Sequence, residues 1–292
     1  MNVEILNVYS NETEKGSRLK GDHGQSFLIS SENDKVLFDT GRKGAILLHN
    51  MKELGIAPDV ISCMALSHGH FDHTGGLPAF LDARTSPSKL PIYAHPAFNE
   101  EKVGKMGIIK MPLGTPKLNA EQEEKMDLRL SKEQQQISNC LFLTGEISER
   151  NELDGTEPNA MHRENGKLVK DPLMDDLSLV LKSKDGIVII AGCAHSGILN
   201  ICEFVKSKMQ DKITTIIGGT HMVRYTEEEV LHVAEQLKSK YDYPDLYLNH
   251  CTDKLPIPFA KKTKAFDILL DIYGEKKVSK CFVGTRYSFE CN

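Results

Sequence analysis

The chain has 292 residues, 40% of them hydrophobic, and a formal net charge of −5, which suffices for one large core and disfavours nucleic acid or an anionic membrane as the main partner. No apolar run approaches the roughly 20 residues of a membrane span, and Met1-Asn2-Val3-Glu4 reads as the start of a strand instead of a basic leader, so a cytoplasmic chain acting on a small molecule is expected. The seven cysteines are odd in number and lack framework spacing, which argues against a disulfide scaffold.

In chain order, strands are expected at about 2–9, 25–30 and 35–39, followed by a helix near 43–54. In that helix Ile46, Leu47, Met51 and Leu54 recur at helical spacing ahead of Gly55. An apolar run at 61–66 reads as a buried strand, and 91–96 as another that carries His95 near its end. From about 98 to 139 the chain turns polar and shows no regular core pattern. This insertion is expected to be a lid or a solvated loop, with Met106, Ile108, Ile109 and Met111 as its apolar surface.

Beyond 177 the pattern alternates. Strands are expected at 177–181, 186–191, 213–217 and 246–248, with helices at 198–209 and 226–239. This is α/β order, read here as one domain over 1–292. His195, His221 and His250 each follow a strand, at the edge where such sheets keep their chemistry.

The densest cluster of chemistry is Ser67-His68-Gly69-His70-Phe71-Asp72-His73-Thr74-Gly75-Gly76, directly after the 61–66 strand. In extended chain, residues two apart point the same way, so His68 and His70 can hold one ion as a pair. A turn into helix near Asp72 would free Asp72 and His73 for a second ion. Two ions roughly 3.5–4 Å apart can share and deprotonate a water at neutral pH. The plainer readings are a solvated loop or a single structural ion.

This H-x-H-x-D-H stretch resembles the signature of the metallo-β-lactamase superfamily. Val36-Leu37-Phe38-Asp39-Thr40-Gly41 is similar to that family's earlier strand, which ends in an Asp that supports the site without binding metal. Gly192-Cys193-Ala194-His195-Ser196-Gly197, Gly218-Gly219-Thr220-His221, Asn249-His250-Cys251-Thr252, His23-Gly24-Gln25-Ser26 and Thr144-Gly145-Glu146-Ile147 resemble the branch of 7,8-dihydropterin-6-methyl-4-(β-D-ribofuranosyl)-aminobenzene-5′-phosphate synthases. The resemblance implies an α/β fold of the four-layer αββα sandwich type.

It also implies that His250 joins Asp72 and His73 on a second metal. The family normally supplies a histidine before the 177–181 strand and a bridging Asp after the 186–191 strand. Here Asp175 and Asp176 occupy the first region, and Cys193 stands where the bridging Asp is expected. Either His195 reaches back to complete the first metal's shell, or it meets substrate while Cys193 or an upstream carboxylate binds the ion. The ligand set adopted is His68, His70, Asp72, His73, His195 and His250, around two divalent ions. Zinc is the first expectation, with manganese or iron as alternatives.

Asp72 and His221 are the candidate catalytic groups, with His221 reaching substrate past Gly218-Gly219. Cys251 reads as a packed neighbour of His250 and His95 as structural. His23 is equally a loop or a site residue, and His49 and His232 are set aside. Asp39, a carboxylate at a buried strand end, needs a partner, and a ligand imidazole, His68 or a loop neighbour, is the natural one.

The expected mechanism is attack by a metal-activated water or reaction of a metal-bound substrate, on a phosphorylated or pterin-related metabolite. The branch name itself implies a condensation. Arg42, Arg163 and the lysines of the insertion are the available phosphate partners. The alternatives are a hydrolase of another ester, lactone or phosphodiester, and a metal-binding sensor without turnover.

Overall fold

Period-two alternation assigns the strand side chains to layers, and those layers set the fold. The computed structural model describes residues 1–164, 166–253 and 263–291. In the first strands Val3, Ile5, Phe27, Ile29, Val36 and Phe38 face one core, while Leu6, Val8, Leu28 and Leu37 face another. In the later strands Leu179, Leu181, Val188 and Ile190 face the first core, and Val180, Ile187 and Ile189 turn away to a third. Three cores imply four layers.

One sheet has seven strands in the spatial order Arg286–Glu290, Asn2–Tyr9, Ser26–Ser30, Lys35–Phe38, Cys63–Ala65, Leu90–Ala94 and Met126–Leu130. The other runs Val278–Lys280, Asp245–Leu248, Ile213–Gly218, Gly186–Ala191, Ser178–Ser183, Leu141–Leu143 and Gln135–Gln136. Helices Gly44–Glu53 and Leu77–Ala83 cover the first sheet, and Ile198–Met209, Glu227–Ser239 and Ala265–Tyr273 cover the second. The architecture is a four-layer αββα sandwich. The two sheets are stapled near one end by Leu177 N–H donating to the Ser67 carbonyl (2.8 Å) and Gln25 Nε2 donating to that of Ala191 (2.7 Å). No helix among the described residues is long and apolar enough to cross a membrane.

The 98–139 segment departs from expectation. Instead of an irregular excursion, it forms strands Lys102–Met106 and Ile109–Pro112, helix Ala120–Glu124 and strand Met126–Leu130, and the last of these completes the first sheet. Lys102–Met106 and Ile109–Pro112 join Ala160–Glu164 and Lys167–Lys170 in a separate four-stranded sheet. Its pattern is weak in the sequence because its members are short and, at Ile109–Pro112, exposed at every position. Helix Ala120–Glu124 carries a capping box from Asn119 and Gln122, a local signal that was present in the sequence.

Parallel pairing carries several strands to the same edge. Lys35–Phe38 runs parallel to Cys63–Ala65, and Gly186–Ala191, Ile213–Gly218 and Asp245–Leu248 run parallel to one another. The residues that follow them are Asp39, Ser67-His68, Cys193, His221 and His250. Four non-glycine residues at this edge, Asp39, Ala194, His221 and His250, have φ of 61°, 56°, 45° and 48°. A cluster of left-handed backbones held by packing is characteristic of a functional site.

Candidate metal centre

His70 has an extended backbone and caps a single helical turn, Phe71–Thr74, so the chain changes period between the His68/His70 pair and Asp72/His73. The turn points the second pair to a different side from the first. Gly69 is required between the histidines, because a Cβ there would lie 1.9 Å from the Phe98 carbonyl oxygen. Its N–H donates to Asp175 Oδ2 (2.8 Å), and Asp175 Oδ1 accepts from the buried Lys102 ammonium (2.9 Å), which also pairs with Asp171 (2.9 Å). A strand of the small sheet thereby fixes the loop that carries His68 and His70. Asp175 is thus a positioning group and, among the described residues, neither it nor Asp176 belongs to a metal-capable cluster.

The hydrogen bonds on the outer side of each ring determine what the inner side presents. Ser67 Oγ donates to Asp39 Oδ2 (2.7 Å), so the contact of His68 Nδ1 with Ser67 Oγ (2.9 Å) is made by the ring's own proton. His73 Nδ1 donates to Asp39 Oδ2 (2.6 Å), and His195 Nδ1 to the Gly155 carbonyl (2.9 Å). Asn11 Nδ2 donates to the His250 carbonyl (3.0 Å), and His250 Nδ1 lies 3.0 Å from Asn11 Oδ1 and 3.3 Å from the Gly24 N–H that is directed at it. His68, His73 and His195 therefore hold a proton on Nδ1 and turn Nε2 inward, the outer-partner arrangement of ligating histidines.

The Nε2 atoms of His68, His70 and His195 are buried without a hydrogen-bond partner among the described residues, and the three rings offer ligand atoms within 4.8 Å of one another. Three convergent, neutral imidazole lone pairs suit zinc and related divalent ions. Beside them, His73 Nε2 lies 3.2 Å from His250 Nε2 and 3.0 Å from Cys193 Sγ. Asp72 Oδ2 is 3.3 Å from His250 Nε2 and 2.9 Å from His23 Nε2. His23, Asp72 and His250 form a second metal-capable group, and Cys193, His221 and Cys251 another.

Burial, then the neighbouring imidazoles, hold His68 and His70 well below the usual histidine range. Burial likewise brings His195 down to about 4. Burial opposes the charge on His73, yet the Asp39 carboxylate prevails and raises it to about 9. Asp72 is also opposed by burial but lies well below the carboxylate range, because His23 and His250 contact it. The two cysteines diverge. Burial raises Cys193, while contacts with Cys193, His250 and His221 bring Cys251 down against the effect of burial.

The site opens into a cavity of about 380 Å³ whose walls include Phe71, Met111, Pro112, Leu113 and Ala160. Arg42 and Lys105 line it with positive charge, and the Arg42 guanidinium stands 5.6 Å from the Phe71 ring centre. Arg163, an expected phosphate partner, is instead engaged by Glu101 (2.6 Å) and does not line this cavity.

His95 bonds Glu146 (3.0 Å) and the Ala97 N–H (3.0 Å), a structural role. His49 and His232 bond Arg18 and Glu152 outside the site. Cys251, read from the sequence as a packed neighbour, sits in the cluster with Cys193 and His221. Glu157, which sequence reasoning passed over, accepts from His221 Nε2 (2.9 Å) and lines the cavity. No local motif marks it. His23 could have been weighted more heavily, since the turn that carries it lies against the Asp72 backbone through Gln25 N–H (3.4 Å).

The family model of the metallo-beta-lactamase superfamily matches residues 19–202. The chain belongs to the metallo-beta-lactamase superfamily. Within it, the chain is 30% identical over 261 residues to the 7,8-dihydropterin-6-methyl-4-(beta-D-ribofuranosyl)-aminobenzene-5′-phosphate synthase of Methanocaldococcus jannaschii, covering 86% of this chain and 88% of that one. Among solved structures, Tm1679, described as a metal-dependent hydrolase of the beta-lactamase superfamily, is 25% identical with a TM-score of 0.79, covering 98% of both chains. The metallo-beta-lactamase fold protein YhfI from Bacillus subtilis shares the fold at 13% identity and a TM-score of 0.57, covering 98% of this chain and 99% of that one.

Proposed function

We propose that this chain is a metal-dependent enzyme acting on a small, phosphorylated or pterin-related metabolite. The observation that carries the reading is the convergence of three buried, partnerless Nε2 atoms, those of His68, His70 and His195. On this reading these three histidines hold one divalent ion, and Asp72, His73 and His250 hold a second. When bound, such ions supply Lewis acidity and lower the pKa of a coordinated water.

The chain's own groups do the rest. Asp39 fixes His73 directly and His68 through Ser67, and Asn11 contacts His250, so these three rings need little reorganisation during a reaction. The Phe71, Met111, Pro112 and Leu113 wall offers an apolar surface that suits a flat ring. Arg42 and Lys105 suit an anionic group on the same substrate. His221 is held by Glu157 and lines the cavity, where it stands ready to meet substrate or a cation. The 30% identical synthase supports the pterin-related class, and the hydrolase neighbour supports reaction with water. On this reading the strands that the 98–139 insertion gives to the small sheet, Lys102–Met106 and Ile109–Pro112, act as a lid over the cavity.

The test combines metal content with turnover. Protein loaded with zinc, manganese or iron is expected to retain at least one ion per chain by elemental analysis, and His70→Ala to lose one. The loaded protein is then incubated with dihydropterins, aryl ribofuranosyl phosphates, phosphodiesters and lactones, and products are read by mass spectrometry. Loss of no ion in His70→Ala refutes the ligand set. Retention of ions with no product from any class favours the sensor reading instead.

A further inference from the structure

We propose that Cys193 Sγ, Cys251 Sγ and His221 Nδ1 form a sulfur-rich cation site on the cavity wall, distinct from the three-imidazole set, that takes a thiophilic divalent ion such as zinc or cadmium. The three donor atoms lie within 4.8 Å of one another, and the three residues are 2%, 1% and 5% exposed. All three line the cavity. Cys251 and His221 are at the ends of neighbouring parallel strands, Asp245–Leu248 and Ile213–Gly218, and Cys193 follows the next, Gly186–Ala191.

The independent sign of a ligand is His221. Its Nδ1 is buried with no nitrogen or oxygen partner among the described residues, the ring's side-chain partner besides Glu157 is the Cys251 sulfur, and its Nε2 donates to Glu157 Oε1 (2.9 Å), whose other oxygen is paired with Arg224 (2.6 Å). A carboxylate behind one ring nitrogen, with the other turned to a thiol, is an arrangement that orients a ligating histidine. The backbone makes the approach possible at a cost, since His221 holds a left-handed φ of 45°. Gly219 leaves space for the thiol, because a Cβ there would meet Cys251 Sγ at 2.7 Å. Two thiols packed only as small apolar groups would need neither the anchored imidazole nor the strained turn.

Charge and softness select the ion. Two thiolates and one neutral imidazole around a divalent cation sum to zero, which a buried wall tolerates far better than an isolated charge. Thiolate donors favour zinc and heavier thiophilic ions over magnesium, calcium or manganese. Binding forms two metal–sulfur bonds and one metal–nitrogen bond, and the protons held among the two thiols and the imidazole are released to solvent. With three protein donors, the fourth position faces the cavity, as in catalytic zinc sites.

Cys193 also stands beside His68 and His73, so Cys251, which among the described residues belongs to no other metal-capable group, is the diagnostic position. Metal-stripped protein is titrated with cadmium, reading bound ion by elemental analysis and thiolate-to-cadmium charge-transfer absorption in the ultraviolet. Cys251→Ser and Cys251→Ala, each checked for wild-type thermal unfolding, are expected to bind one ion fewer and to lose most of the absorption. His70→Ala is expected to lose an ion while keeping the absorption, and His221→Gln to weaken the sulfur site tenfold or more. Wild-type protein without charge-transfer absorption, absorption unchanged in both Cys251 variants, or absorption abolished by His70→Ala would each overturn the proposal. Full cadmium retention by His70→Ala with the absorption intact would count against the imidazole ligand set alone and leave this site standing.

Discussion

At the floor of the cavity His68, His73, His195 and Cys193 are at most 2% exposed, whereas on the hairpin of the small sheet above them Ile108 is 98% and Ile109 55% exposed. The floor is made from the ends of strands shared between two seven-stranded sheets, so each backbone there is fixed by neighbours on both sides. The roof is a four-stranded patch with an open face. The floor fixes what chemistry the cavity supports, and the roof is free to vary with the substrate, which is how loops on rigid scaffolds commonly divide the work.

Lys102 is the exception that ties the two together, and its removal is the strongest way to break the contrast. It arises from the roof but is 3% exposed, with its ammonium between Asp171 and Asp175. Burial disfavours its charge, yet the two aspartates raise its pKa, while burial raises that of Asp175. Lys102→Ala leaves two buried carboxylates without their cation, and about 3–5 kcal/mol of stability is expected to be lost. Urea unfolding checks this, and a loss under about 1 kcal/mol would mean that roof and floor are independent.

A smaller effect probes the floor alone. Asp39→Asn keeps the volume but replaces the acceptor that orients His73 and, through Ser67, His68. Metal affinity is expected to fall about 10–100-fold, the usual consequence of losing a carboxylate behind a ligating imidazole. Competition against a chromophoric chelator measures it, and an unchanged affinity would show that the rings are held by packing.

The smallest effect on folding belongs to the roof. Ile109→Ser and Met111→Ser alter exposed positions on Ile109–Pro112, so stability should stay within about 0.5 kcal/mol of the parent. Met111 lines the cavity, so its variant should raise KM for an aromatic substrate with little change in kcat, whereas Ile109→Ser should leave both alone. Equal kinetic effects from the two would mean that the hairpin closes as a unit.

The floor was legible in the chain because its parts are local. The two-residue spacing of His68 and His70, the turn at Asp72, and the histidines that follow apolar runs at 195, 221 and 250 all declare themselves within a few residues. The α/β order follows from alternating apolar runs separated by helical patterns, whereas the four-layer αββα arrangement was implied by the family resemblance. The roof was illegible for the opposite reason: Lys102–Met106 pairs with Ala160–Glu164, more than 50 residues away, and neither strand carries a strong apolar alternation. Local pattern has no access to such a pairing.

Residue types and their spacing alone determined that imidazoles and a carboxylate would gather at strand ends, since a strand's periodicity and a helix's first turn dictate side-chain direction. Only the folded chain decided which partner each one found. It placed Asp39 behind His73, Lys102 beneath Gly69, His23 against Asp72 and Cys251 beside His221, because each of those contacts joins segments whose separation in sequence carries no information about their distance in space.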